Sequence, residues 1–230
     1  MLAMQVREIL RMEKKIVVIH TSFISVDTLK SLFGEIIPEA KVYNIVDDSM
    51  LPEIMSSCGV TENVIKRYCA YARQAEVIGA DLIFSQCSSA GPAADAASKL
   101  IKTPILKVDQ AMAEEAVNKG KRIAVVATIG TTLKPSVELI EKVALEKNKQ
   151  VSVDRVLLES AYEALFLKND KKLHNKIILD KIHSIEHLYD VIVLAQGSMV
   201  TLLDELSDVS VLILTSPRLG VLRARDVLGL

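Results

Sequence analysis

Short apolar runs alternate along the chain with longer segments of helical period, and this confines the fold to parallel strands joined by crossover helices. Strands are expected at residues 16–20, 40–45, 82–85, 105–107, 123–127, 151–157, 191–194 and 211–214. Helices are expected at 26–33, 61–79, 93–102, 110–119, 134–147, 162–168, 173–187 and 220–228, with residues 1–12 as a loose extra helix before the first strand. At 230 residues and 50% hydrophobic content the chain can bury a sizeable core, as one large domain or two small lobes. Aromatics are 4% and Trp is absent, so that core must rest on Ile, Val, Leu and Ala, the usual filling of a parallel sheet between helices. The expected class is α/β.

The two halves carry a faint repeat. Ile16-Val17-Val18-Ile19-His20-Thr21-Ser22 resembles Ile123-Ala124-Val125-Val126-Ala127-Thr128, each an apolar strand running into small hydroxyl residues. Asp81-Leu82-Ile83-Phe84-Ser85-Gln86-Cys87 lies over Asp190-Val191-Ile192-Val193-Leu194-Ala195-Gln196 without a gap, which pairs Cys87 with Gln196. Ligands of open α/β sheets bind beyond the carboxyl ends of strands, so two such lobes would bring four loops around one crevice.

Charge and cysteine usage narrow the function. The 28 basic and 29 acidic residues nearly cancel and no basic run tracks a phosphate backbone, which argues against nucleic acid. No apolar stretch approaches the about 20 residues that span a bilayer, and Met1 to Lys15 lacks a signal peptide's apolar centre. A cytoplasmic protein without membrane contact is expected. Cys58, Cys69 and Cys87 are odd in number and irregularly spaced, against a disulfide framework or closed zinc site. His183-Ser184-Ile185-Glu186-His187 matches H-x-x-E-H, but no third ligand is evident beyond His174, and a metal role is rejected. Elements of the G-x-G-x-x-G, Walker and G-x-S-x-G types are also missing.

Cys87 is the principal candidate for chemistry. It follows a buried strand and precedes Gly91-Pro92-Ala93-Ala94, where Pro92 suits a first helical turn. The free N–H groups and dipole of a helix start favour a thiolate there, and with Ser88 and Ser89 they could hold a substrate carboxylate. A cysteine packed as a small hydrophobe is the ordinary alternative, but polar neighbours on both sides make poor core filling. Thr128, Thr131 and Thr132 gather at a second strand-to-helix turn, as a carboxylate cradle or as helix caps. Ser22, Asp47 and the group Gln196-Gly197-Ser198 are the remaining loop contributions, although turn and cap roles explain the aspartates of Asp47-Asp48 equally well. Asp109 reads as a helix cap or a hinge between lobes.

These segments resemble the aspartate/glutamate racemase superfamily, which includes hydantoin racemases, maleate isomerases and arylmalonate decarboxylases. The resemblance runs from Lys15 over most of the chain. It rests on Val46-Asp47-Asp48-Ser49, Gln86-Cys87-Ser88-Ser89-Ala90, Asp109-Gln110-Ala111-Met112-Ala113, Val126-Ala127-Thr128 with Thr131-Thr132, and Val193-Leu194-Ala195-Gln196. It implies two flavodoxin-like three-layer α/β/α lobes with mainly parallel sheets, related by pseudo-two-fold symmetry: residues 1–108, residues 109–214, and 215–230 returning to the first. It also implies chemistry without a cofactor, in which two cysteines, one per lobe, serve opposite faces of a carbon acid. Cys87 matches the first cysteine, and the second falls on Gln196, with Gly197 and Ser198 beside it. An amide cannot act as the second acid or base, so Gln196 is expected to hydrogen-bond a carboxylate or developing enolate while Ser198 or water serves the opposite face. The expected function is cofactor-independent racemisation or isomerisation of a small carboxylate, an amino acid or related acid. Decarboxylation of a malonate-type acid and non-catalytic carboxylate binding are the alternatives. The expected partner is that small molecule, with a homodimer as the default assembly.

Overall fold

The computed structural model describes residues 13–230, so the expected helix over residues 1–12 lies outside the described residues. The elements are β1 (Lys15–His20), α1 (Val26–Ile36), β2 (Lys41–Val46), α2 (Met50–Ser56), α3 (Glu62–Ile78), β3 (Leu82–Ser85), α4 (Gly91–Ala97), β4 (Ile105–Lys107), α5 (Gln110–Lys119), β5 (Arg122–Ala127), α6 (Gly130–Glu146), β6 (Ser152–Leu157), α7 (Glu159–Tyr162), α8 (Lys171–Ile185), β7 (Val191–Leu194), β8 (Leu212–Thr215) and α9 (Ser216–Leu228). A π-helical turn, Glu163–Leu167, continues α7. Two four-stranded sheets result, in the orders β2-β1-β3-β4 and β6-β5-β7-β8, and every strand pair is parallel.

The strand sequences explain their places. β3 and β7 are buried throughout, and β1 and β5 almost so, as continuous apolar runs require when helices cover both faces of a sheet. The edge strands β2 and β6 carry Lys41, Asn44, Asp154 and Arg155 and stay partly exposed. On one face of the first sheet, Met50 and Ile54 of α2 join Tyr68, Ala72 and Ala75 of α3. On the other, Leu29 and Phe33 of α1 meet Val221 and Ala224 of α9, and Phe33 meets Phe84 edge-on at 5.3 Å. The last helix thus completes the core of the first sheet. The second sheet is covered by α5 and α6 on one face and by Ile178 and Ile182 of α8 on the other. The chain therefore forms two three-layer α/β lobes.

The internal repeat is structural. Asp81 accepts the Lys15 backbone N–H at 2.9 Å, and Asp190 accepts those of Lys121 and Arg122 at 2.9 Å each, so an equivalent carboxylate ties the start of β3 to β1 and of β7 to β5. Ile16 pairs with Leu82 and Ile123 with Val191. From these anchors the ungapped match carries Cys87 and Gln196 to the same position beyond equivalent strands.

Some boundaries differ from those expected. Helix α2 is absent from the expected elements; its Pro52 sits in the first turn, where the missing N–H costs no hydrogen bond. Helix α6 starts at Gly130, ahead of the expected residue 134, and runs through Pro135, whose missing N–H leaves the Thr131 carbonyl without its helical partner. Helix α9 likewise starts at Ser216, with Pro217 in its first turn. Among the described residues no helix is long and apolar enough to cross a membrane.

Gly220 is where α9 docks. A Cβ there would stand 2.6 Å from the Val108 carbonyl oxygen and 3.0 Å from Phe84 Cζ. Gly220→Ala is therefore expected to lower unfolding free energy by about 1–3 kcal/mol in urea denaturation. Gly34→Ala, within α1 and with nothing inside 4 Å of a new Cβ, should stabilise by about 0.5–1 kcal/mol.

Candidate active site

In each sheet the strand order reverses between the first and third strands of the lobe, so their connections leave in opposite directions and open a crevice at the carboxyl ends. The two crevices share one cavity of about 800 Å³. Thr21 and Ser22 enter it after β1, Gln86 to Ser89 after β3, Ile129 and Thr132 after β5, and Ala195 to Ser198 after β7. A buried hydrogen bond at 3.0 Å between the Ser89 and Thr132 hydroxyls joins the loops of opposite lobes.

Cys87 leaves β3 in extended conformation, at φ −113° and ψ 118°, and Ser88–Ala90 form a tight 3-10 turn that leads into α4. The thiol is free, half-buried and part of the cavity wall. Neither other cysteine reaches that wall. Cys58 is exposed just beyond α2, while Cys69 lies on α3, where burial pushes its thiol up against the smaller opposing effect of Arg73.

Gln196 stands opposite at the equivalent position. The Thr128 backbone N–H donates to its Oε1 at 2.6 Å, and the Thr128 hydroxyl donates to the same oxygen at 3.0 Å. A peptide N–H can only donate, which fixes the amide orientation and leaves Nε2 as the group available to the cavity. The arrangement presents a thiol from one lobe and an oriented amide donor from the other.

Of the residues expected to touch ligand, Ser22, Ser88, Ser89, Thr132, Gly197 and Ser198 line the cavity with Cys87 and Gln196. Three expected contacts lie off it. Asp47 is claimed by Arg67 Nη1 at 2.6 Å, the Tyr71 hydroxyl at 2.8 Å and the Ser49 hydroxyl at 2.5 Å. Burial pushes its carboxyl up, but Ser49, Tyr71 and Arg67 together outweigh this and hold it below its ordinary value. Arg67 also binds Glu53 at 2.5 Å, so this arginine of α3 ties down both α2 and the loop that carries Asp47. Thr128 acts through Gln196 and does not line the cavity itself. Thr131 falls inside α6 because that helix begins early; one residue is a rotation of about 100° around a helix, so Thr132 faces the cavity and Thr131 does not. Asp109 makes no capping bond at the start of α5; it is buried, and burial pushes its carboxyl up against relief from Ser88 and Lys107. Within the H-x-x-E-H segment, Glu186 is turned to the Ser210 backbone N–H at 2.9 Å.

The structure adds a wall that sequence reasoning missed. Tyr162, Leu165 and Phe166 from α7 and its π turn, and Lys171, His174 and Asn175 from α8, close the second-lobe side. His174 is buried, and its Nδ1 lies 2.9 Å from the Ala161 carbonyl, so Nδ1 carries the proton and Nε2 is the free ring nitrogen. The local signal was its place on the inward stripe His174, Ile178, Ile182, Ile185, where a polar side chain interrupts an apolar face. From the first lobe, Leu51 and Met55 of α2 complete the wall.

Two duplicated parallel sheets with their switch points facing one cavity define a class of two-lobed α/β proteins. The chain belongs to the Asp/Glu/Hydantoin racemase family, whose sequence profile matches residues 16–224. No curated protein sequence matches it significantly. Glutamate racemase from Aquifex pyrophilus superposes with a TM-score of 0.66 at 17% identity, over 92% of this chain and 83% of that one. Allantoin racemase from Klebsiella pneumoniae gives 0.67 at 18% identity, over 95% and 89%. A sulfate-associated glycine-to-cysteine mutant of arylmalonate decarboxylase gives 0.58 at 14% identity, over 94% and 93%. At these identities the likeness is one of fold.

The three thiols should separate in alkylation by iodoacetamide followed by peptide mass spectrometry. Cys58 should label at the same rate with and without saturating malonate, Cys69 slowly in both, and Cys87 markedly more slowly with malonate present.

Proposed function

We propose that this chain is a cofactor-independent racemase or isomerase of a small carboxylate, with Cys87 as the base that removes the proton next to the carboxylate. The observation that carries the reading is the placement of Cys87 and Gln196 at equivalent strand ends on one cavity, with the Gln196 carbonyl held by Thr128. Proton removal from the α-carbon sends its electron pair into the carboxylate, forming an enediolate. Gln196 Nε2 donates a hydrogen bond to that charge, and its orientation is set before the reaction begins. Hydroxyls of Ser22, Ser88, Ser89 and Thr132 bind the carboxylate. The opposite face needs a proton donor that an amide cannot be; His174 on the second-lobe wall, after taking a proton from solvent at Nε2, delivers it to the α-carbon as an imidazolium and returns to the neutral imidazole. Ser198, exposed at the rim, is the weaker donor because its hydroxyl does not titrate near neutrality.

A second reading is favoured by one specific observation: among the described residues Cys87 is the sole cysteine on the cavity. Decarboxylation of a malonate-type acid generates the same enediolate and requires protonation from one side only, a task for a single thiol.

Cys87→Ser is expected to lower both inversion and α-proton exchange in deuterated water by about 10²–10⁴-fold, while Cys58→Ser and Cys69→Ser leave them unchanged. Gln196→Ala should cost about 10²-fold through kcat. His174→Asn should abolish inversion yet retain exchange at the face served by Cys87; full inversion in that variant would remove His174 from the mechanism. Full activity without the Cys87 thiol would end the proposal.

A further inference from the structure

The charge of the cavity wall bears on what can bind there. Among the described residues that line it there is no aspartate or glutamate, and Lys171 is the one lysine or arginine. Lys171 makes no ion pair among the described residues. The neighbouring acids are committed elsewhere. Asp47 is paired with Arg67, Asp170 accepts the Leu173 backbone N–H at 2.9 Å, and Asp109 is buried on the wall of a separate, smaller pocket. Gln196 Oε1 is occupied by two donors from Thr128, which leaves neutral amide oxygens, Gln86 Oε1 beside the thiol among them, as the strongest acceptors on the wall.

An α-amino acid carries an ammonium ion on the very carbon that must react. Its carboxylate would meet hydroxyls and N–H groups here, but its ammonium would enter a half-closed cavity with no counter-ion and with Lys171 on the wall. An ion withdrawn from water needs a partner charge, and neutral hydroxyl and amide dipoles, the Gln86 oxygen included, replace it poorly. An anion without an ammonium meets no such penalty, and Lys171 attracts it.

Polar side chains such as Asn169, Asn175 and Thr201 share the rest of the wall with a large apolar surface. Ile24, Leu51, Met55, Leu165, Phe166 and Val200 surround a volume of about 800 Å³, far more than a three-carbon acid fills. The Tyr162 and Phe166 rings stack at 4.7 Å and 25°, an aromatic platform on the second-lobe side. A small acid would leave this surface wet, whereas an apolar substituent on the acid would cover it.

We infer that the substrate of this site is a carboxylic acid with no ammonium group on its reacting carbon and with a large apolar substituent there. The inference rests on reading the cavity as the reaction site. It narrows the proposed function, because simple amino acids drop out and α-aryl or α-alkyl acids remain. An aryl substituent would also spread the charge that develops on the carbon.

Isothermal titration calorimetry on the intact protein and on Cys87→Ala, with ligands matched in shape, tests it. One comparison sets 2-phenylpropanoate against phenylglycine, which differ by a methyl in place of an ammonium. The other sets 2-phenylpropanoate against 2-methylpropanoate, which differ by the ring. In both proteins 2-phenylpropanoate should bind at least about tenfold more tightly than either comparison ligand, a difference of about 1.4 kcal/mol. Phe166→Ala should shrink the second ratio and leave the first unchanged. Phenylglycine binding as tightly as 2-phenylpropanoate, 2-methylpropanoate matching it, or no measurable binding of 2-phenylpropanoate would each overturn the inference. The two proposals fail separately. Cys87-dependent inversion of an amino acid would overturn the substrate class and leave the thiol chemistry standing. The expected binding order without proton exchange in the unmodified protein would do the reverse.

Discussion

Everything at the site follows from a constraint on parallel sheets. A parallel strand cannot turn back on itself, so each connection crosses a face of the sheet, and a sheet that grows outward from its first strand in both directions must send its connections to both faces. In the orders β2-β1-β3-β4 and β6-β5-β7-β8 that divergence falls between the two most buried strands of each lobe. The loops beyond those strands cannot pack on each other and remain open as a crevice. Duplication then sets two crevices face to face, and the buried Ser89 to Thr132 hydrogen bond joins their rims.

The same duplication makes the asymmetry chemically informative. Equivalent carboxylates, Asp81 and Asp190, fix the starts of equivalent strands, so whatever stands six residues later is delivered to the same place in each lobe. One lobe delivers a thiol and the other an amide. Thr128 turns that amide into a directed donor by occupying its oxygen twice, a role that neither residue type announces alone. The proton donor proposed for the second lobe comes from a different element, helix α8, whose inward stripe carries His174.

The parts of this arrangement that were legible in the sequence are those set by counting along strands. The alternation of apolar runs and helical periods revealed the strands, and the ungapped match from Asp81 and Asp190 placed Cys87 against Gln196. What was hidden depends on rotation about helices and on convergence of distant elements. Thr131 and Thr132 look alike in a sequence, and only the early start of α6 at Gly130 separates the one that faces the cavity from the one that does not. Asp47 carries no mark of its ion pair with Arg67, which lies on a later helix. The short helix α2, only seven residues long, was not among the expected elements, and with it the contribution of Leu51 and Met55 was missed. His174 carries a local signal, a polar side chain on an apolar stripe, but the wall it shares with Tyr162 and Phe166 exists only in three dimensions.

The central claim is that a thiol and an oriented amide from opposite lobes address one bound acid. A crystal structure of the Cys87→Ser variant with a bound, unreacted α-substituted carboxylate tests this most directly. The predicted result has a carboxylate oxygen within hydrogen-bond distance of Gln196 Nε2, the Thr128 bonds to Oε1 intact, and the α-carbon facing the hydroxyl that replaces the thiol. An acid seated elsewhere, or one that leaves the Gln196 amide untouched, would contradict it.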